Sequence, residues 1–157
     1  SWKKSFEIGG QRLIQKFHHH DAILKEEICE LEAYLDDELK ELFDALRKHN
    51  PQVLGGSSGT FDTLSDIYCN QNALKVDDEV PERPFELSVF KTIHHDLISK
   101  KRAERLQIPG MIPMRVDMIV VASCLINYLL KNYLFSQLRV STYSLKEGFL
   151  SELIYSV

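Results

Sequence analysis

A chain of 157 residues, 44% hydrophobic and 27% charged, is long enough to bury one core and too short for two independent domains. That balance excludes a disordered or fibrous polymer. A net charge of −4 and an isoelectric point near 5.9 exclude a broad nucleic-acid surface, which needs a basic excess, so any phosphate must be met locally.

Residues 2–8 (WKKSFEI) read as a short strand ending at Gly9-Gly10, with QRLIQKFHHH after them as a brief helix. The chain opens without Met on what reads as a sheet strand, which points to a fragment or a trimmed piece, incomplete at its N-terminus; the opening also lacks the apolar stretch of a signal peptide. Asp21 is placed to cap a helical stretch over 22–50, where Ile28, Leu31, Leu35, Leu39, Leu42 and Leu46 recur three and four apart. A break is expected near Asp36-Asp37, and Asn50-Pro51 ends the stretch. QVL at 52–54 reads as a short buried strand, 55–59 as a glycine-rich turn, and TFDTLSDIYCNQ as a helix.

Residues 72–83 are acidic, carry Pro81, and read as an exposed connection. A strand at 85–87, a helix from about Ser88, a second basic helical piece and the loop IPGMIP at 108–113 follow. The helix over 115–133 is apolar, but Ser123, Asn127, Lys131 and Asn132 interrupt the run at 118–135, so it reads as a buried helix and excludes a membrane span. A strand at 138–142 and a closing helix or tail complete the chain. Strands separated by helices predict one α/β layered domain over 1–157, with helices covering a sheet.

Three of the seven glycines lie within 55–59, where a strand hands over to a helix. Glycine serves a tight turn, and a helix N-terminus also presents unpaired N–H groups and partial positive charge to an anion. Ser57, Ser58 and Thr60 add hydroxyl donors, although Ser58 or Thr60 could equally be the N-cap. The pattern is neither GxxxxGK[ST] nor GxGxxG. The histidines at 18–20, and His94-His95 with Asp96, point apart on helices, so no metal site is expected. Glu26-Glu27, Asp36-Asp37 and Asp77-Asp78 read as solvated surface, and the basic run 99–105 as a solvated helix face with an anionic substrate as the alternative. Cys29, Cys69 and Cys124 form neither a disulfide framework nor a zinc pattern, which fits a reducing cytoplasm, and the last two read as buried and inert. Arg115 and Asp117 open an apolar helix; Asp117 complements its dipole, and Arg115 must find a carboxylate, a carbonyl or a ligand. Glu147-Gly148 reads as a turn after a strand, where open α/β sheets collect ligands.

Three segments stand in one order: GGSSGTFDTL at 55–64, RLQIPGMIPMRVDMIVVAS at 105–123, and LRVSTYSLKEGFL at 138–150. Together they resemble the second half of the Ppx/GppA family, the exopolyphosphatases and guanosine pentaphosphate phosphohydrolases of the actin-like, sugar-kinase and Hsp70 ATPase superfamily. SFEIGGQRLIQKF is similar to the stretch after that family's second glycine-rich phosphate loop, so the resemblance spans nearly the whole chain.

The resemblance implies an RNase H-like domain on a mixed sheet flanked by helices, the C-terminal lobe of a two-domain enzyme whose active site lies against an N-terminal sister domain. It implies hydrolysis of a terminal phosphoanhydride of polyphosphate or guanosine pentaphosphate, by water activated by a glutamate, with Mg²⁺ neutralising phosphate charge. Gly55, Gly56, Ser57, Ser58, Gly59 and Thr60 would line the phosphate- or nucleotide-facing wall. Arg115, Asp117, Lys146 and Glu147 match motif positions and are expected to organise structure. Lys146 stands where the family favours arginine. The sequence carries neither glycine-rich phosphate loop nor a match to the catalytic glutamate, so no catalytic residue is assigned, and both would lie upstream of Ser1. The alternatives are a non-catalytic nucleotide- or phosphate-binding regulatory module and a kinase-like ATPase, the latter disfavoured by the Arg-x-Asp and Leu-Lys-Glu-Gly segments. Neither nucleic acid nor membrane is expected as a partner, and pairing of two chains stays open.

Overall fold

The computed structural model describes residues 1–75 and 80–155. The apolar helix expected near the end of the chain organises the rest. It runs over Met118–Asn132 (α7) and is buried on two opposite sides, the mark of a helix that is apolar all round. Ile119 and Ile126 face one core with Leu64 and Ile67 of α4 (Thr60–Gln71) and Phe90 and Ile93 of α5 (Leu87–Ser99). Val120, Val121, Cys124 and Tyr128 face a second core with Leu13 of α1 (Gly10–Phe17) and Leu31 and Leu35 of α2 (Lys25–Glu38). Among the described residues no helix is long and apolar enough to cross a membrane.

The sheet is small and mixed. Strand β1 (Val53–Ser57) runs parallel to β3 (Gln137–Ser141), and β2 (Glu82–Arg83) pairs antiparallel on the far side of β3. Leu138 and Val140 alternate inward to the first core, whereas Val53, Gly55, Ser57, Gln137 and Arg139 stand exposed on the opposite face. Ser57 and Ser141 are register partners, so the two parallel strands end side by side. That shared end is where an open α/β sheet presents ligands.

The structure corrects several expectations. Residues 2–8 form no strand; Phe6 and Ile8 satisfy their apolar surface against the second core instead of a sheet edge. Asp21 is not an N-cap: α2 starts after Leu24, whose amide donates to Glu27 Oε2 at 2.8 Å. The long stretch breaks at the fully buried Leu39, after Asp36-Asp37, before α3 (Lys40–His49). β1 reaches past 52–54 to Ser57 and is largely exposed, so Gly55 and Gly56 belong to a strand and only Ser58 and Gly59 to the turn. The strand expected at 85–87 lies instead at Glu82–Arg83, because Pro84 offers no amide to prolong the pairing. Glu147 and Gly148 sit inside α8 (Leu145–Tyr155), not in a turn. The pair Asp77-Asp78 lies outside the described residues.

Candidate functional site

The chain leaves β1 through Ser58, at φ 60°, and Gly59, at φ 52° and ψ −107°, a left-handed pair that glycine makes affordable only at its second position. Gly59 is the N-cap of α4 and no side chain caps the helix, so neither Ser58 nor Thr60 plays that part. Thr63 donates its hydroxyl and its amide to Gly59 O, both at 3.2 Å, and Phe61 donates its amide to Ser58 O at 3.1 Å. The amides of Gly59, Thr60 and Asp62 meet no acceptor among the described residues. They are the free donors of a 12-residue helix whose dipole adds partial positive charge at the same point.

Arg115 lies over this turn. A Cβ placed on Gly59 would stand 3.0 Å from Arg115 Nη1, and among the described residues the guanidinium has no carboxylate partner. Ser57, Ser58, Gly59, Thr60 and Arg115 line a cleft of about 330 Å³ floored by Ala122 and Leu125 of α7. Amides, hydroxyls and a guanidinium form a donor set for an oxyanion.

The two neighbouring glycines differ. Gly56 faces inward, where an added Cβ would stand 2.2 Å from the Phe61 ring, so its smallness serves packing. Gly55 faces outward with nothing within 4 Å of its Cβ position, into a second cleft of about 470 Å³ with Ser57, Arg139, Ser141 and Tyr143. The carboxylate lining that second cleft, Glu82, is held by Arg139 at 2.5 and 2.9 Å.

The remaining motif residues are structural in their contacts. Asp117 ion-pairs with Arg102 Nε at 3.2 Å and Arg105 Nη2 at 3.5 Å. Glu147 accepts the amide and the hydroxyl of Ser144 at 2.8 and 2.6 Å, contacts that hold its carboxyl down to about 2, and Lys146 pairs with it at 3.3 Å. The basic run 99–105 is solvated as expected at Ser99 and over 101–104, but its last residue, Arg105, is fully buried. Sequence reading missed its role.

His19 Nε2 lies 3.0 Å from Lys16 O and His20 Nδ1 3.0 Å from Glu27 Oε1, so these rings serve different neighbours. Buried Glu27 would be raised by desolvation, but the amide of Leu24, the His20 ring and the amide of His19 hold it down to about 2. His94 is lowered to about 4, first by burial and then by Lys131 and His95; Ser123 donates to Val120 O, which leaves its Oγ to accept from His94 Nδ1 at 2.9 Å. Cys69 and Cys124 are buried, and burial pushes the Cys124 thiol up to about 12, far from a reactive thiolate. No group of three or more His, Cys, Asp or Glu is placed to hold a metal ion among the described residues.

The model of the Ppx/GppA phosphatase family matches residues 2–156. Among solved structures, an exopolyphosphatase from Cytophaga hutchinsonii shares 41% identity at a TM-score of 0.91, over 99% of this chain and 50% of that one. A Ppx/GppA family member from Aquifex aeolicus shares 21% identity at a TM-score of 0.78, over 98% and 49%, and shows a common fold. The chain thus spans about half the length of the solved structures it matches. No curated protein matches it.

Proposed function

Because this chain belongs to the Ppx/GppA phosphatase family, we propose that it supplies one wall of a cleft in which a terminal phosphoanhydride, of polyphosphate or guanosine pentaphosphate, is hydrolysed. The observation that carries this reading is the unpartnered Arg115 guanidinium over the free amide end of α4. An oxyanion placed there meets two or three N–H donors and a cation, which offset its lost hydration. The likeness to a 41% identical exopolyphosphatase supports polyphosphate as the substrate class.

On this reading the chain is the C-terminal, RNase H-like lobe of a two-lobed enzyme working in the cytoplasm, and the wall across the cleft belongs to an N-terminal sister lobe. Two features support a body facing the cleft. The outer sheet face is open, and α8, which leaves from the same end of β3, exposes Leu145 at 89%, Phe149 at 60% and Ile154 at 66%. A largely apolar, exposed helix of 11 residues draws its stability from packing of this kind. The resemblance implies Mg²⁺, but no carboxylate among the described residues lines the Arg115 cleft, and its amides and guanidinium suit an anion rather than a cation. These residues therefore do not fit the metal. What this wall does is bind the phosphate chain, orient its terminal group and hold its charge in place; the water-activating glutamate belongs to the facing lobe.

The test joins this chain to the first half of the Cytophaga hutchinsonii exopolyphosphatase and measures phosphate release from polyphosphate and from guanosine pentaphosphate with Mg²⁺ present. Release by the chimera and its loss in Arg115→Gln support the reading. A folded chimera that releases phosphate equally well with Arg115→Gln contradicts it.

A further inference from the structure

Residues 108–117 carry Arg115 but hold themselves weakly, as a loop and one 3-10 turn (Pro113–Arg115) in which Met114 is 87% exposed. Two clamps fix the segment from outside. At one end Gly110, at φ 90°, lies so close to α4 that an added Cβ would stand 2.5 Å from the Asp66 carbonyl. At the other end stands Arg105, in the single-turn helix α6 (Arg102–Arg105), with its side chain 0% exposed.

The protein satisfies two nitrogens of the Arg105 fork, while Nη2 has no hydrogen-bond partner among the described residues. Nε donates to Val116 O at 3.0 Å, Nη1 donates to Asp21 Oδ1 at 2.7 Å and Lys100 O at 2.6 Å, and Nη2 faces Asp117 Oδ1 at 3.5 Å. Arg102 adds a second hold, its Nε on Asp117 Oδ2 at 3.2 Å and its amide on Asp21 Oδ2 at 2.7 Å. Val116 and Asp117 are the two residues directly after Arg115, so a planar fork gripping both sets the direction in which the Arg115 side chain departs.

We propose that Arg105 is a positioning residue for the oxyanion seat: it touches no ligand, and through the backbone of Val116 and the carboxylate of Asp117 it sets where the Arg115 guanidinium stands over Gly59. The proposal rests on the reading of residues 55–60 as that seat.

The test titrates tripolyphosphate into the chain and follows the Gly59 and Thr60 amide resonances for wild type, Arg105→Lys, Arg115→Gln and the double variant, at a temperature where circular dichroism shows each folded. Lysine keeps the charge but loses the fork, so Arg105→Lys should weaken affinity about fivefold, and Arg115→Gln about tenfold. The double variant should bind no more weakly than Arg115→Gln, because Arg105 acts only through Arg115. A purely structural role moves the melting temperature and not this coupling. Full affinity in folded Arg105→Lys, or losses that multiply in the double variant, overturns the proposal while leaving the seat intact. Wild-type affinity in Arg115→Gln removes the seat itself, and the proposal with it. Should Arg105→Lys not fold, Arg102→Gln loosens the same carboxylate from an exposed position. It should cost about twofold, and only when Arg115 is present; unchanged affinity there overturns the proposal.

Discussion

Arg105 and Arg115 stand ten residues apart in one motif and meet opposite surroundings. Arg105 is fully buried, with two carbonyls and two carboxylates around its fork. Arg115 is half-buried over a glycine turn with no carboxylate partner among the described residues. The charge of Arg105 is matched by Asp21 and Asp117 and its Nε and Nη1 donors by protein oxygens, so the first arginine belongs to the fold. The second keeps its donors free beside a helix end that also lacks acceptors, and this is how a protein prepares to receive an anion. The same motif therefore holds a strut and a guanidinium with free donors, and the neighbourhood of each separates them.

The largest effect should come from emptying the strut. Arg105→Ala leaves Val116 O and Lys100 O without a donor and should destabilise the chain by about 3 kcal/mol, read as a fall of roughly 10 °C in Tm. Arg115→Ala should stay within about 0.5 kcal/mol of wild type in the same melt. Equal losses would erase the contrast. The paired glycines sharpen it next. Gly56→Val drives its side chain into Phe61 and should cost about 2 kcal/mol, whereas Gly55→Val enters open space, keeps the Tm, and narrows the outer cleft.

The pH dependence should be smaller near neutrality and should come from the packed part of the molecule. His94 is lowered from 6.5 to about 4, so the unfolded chain binds more protons between these values and stability falls as pH drops through that window. Glu27 is lowered from 4.5 to about 2, so its contribution, present above pH 4.5, is lost as pH falls toward 2. Urea melts across pH should show both losses, and His94→Gln should remove the upper one alone. A flat profile above pH 4.5 in wild type would contradict the burial of His94.

The elements that the sequence made legible were those with strong periodicity or strong punctuation. α4 begins at the glycine turn, α7 is apolar on all sides, and β3 lies within a residue of its expected bounds. β2 spans two residues, too short for any alternation to show, and residues 2–8 look like a strand while packing on helices. At the candidate site, glycine clustering marked the place but not the roles, because Gly56 and Gly59 are told apart only by Phe61 and Arg115. Arg105 was legible as part of a motif and illegible as buried, since its partner Asp21 comes from a distant part of the chain.

The central claim is that the end of β1 and the start of α4 form an oxyanion seat completed by Arg115. Titrating tripolyphosphate into isotopically labelled protein tests it most directly. The account predicts saturable shifts at the amides of Gly59, Thr60 and Asp62 whose midpoint rises about tenfold in Arg115→Gln at unchanged Tm. Shifts confined to other surfaces, or shifts at these amides with the same midpoint after the substitution, would contradict it.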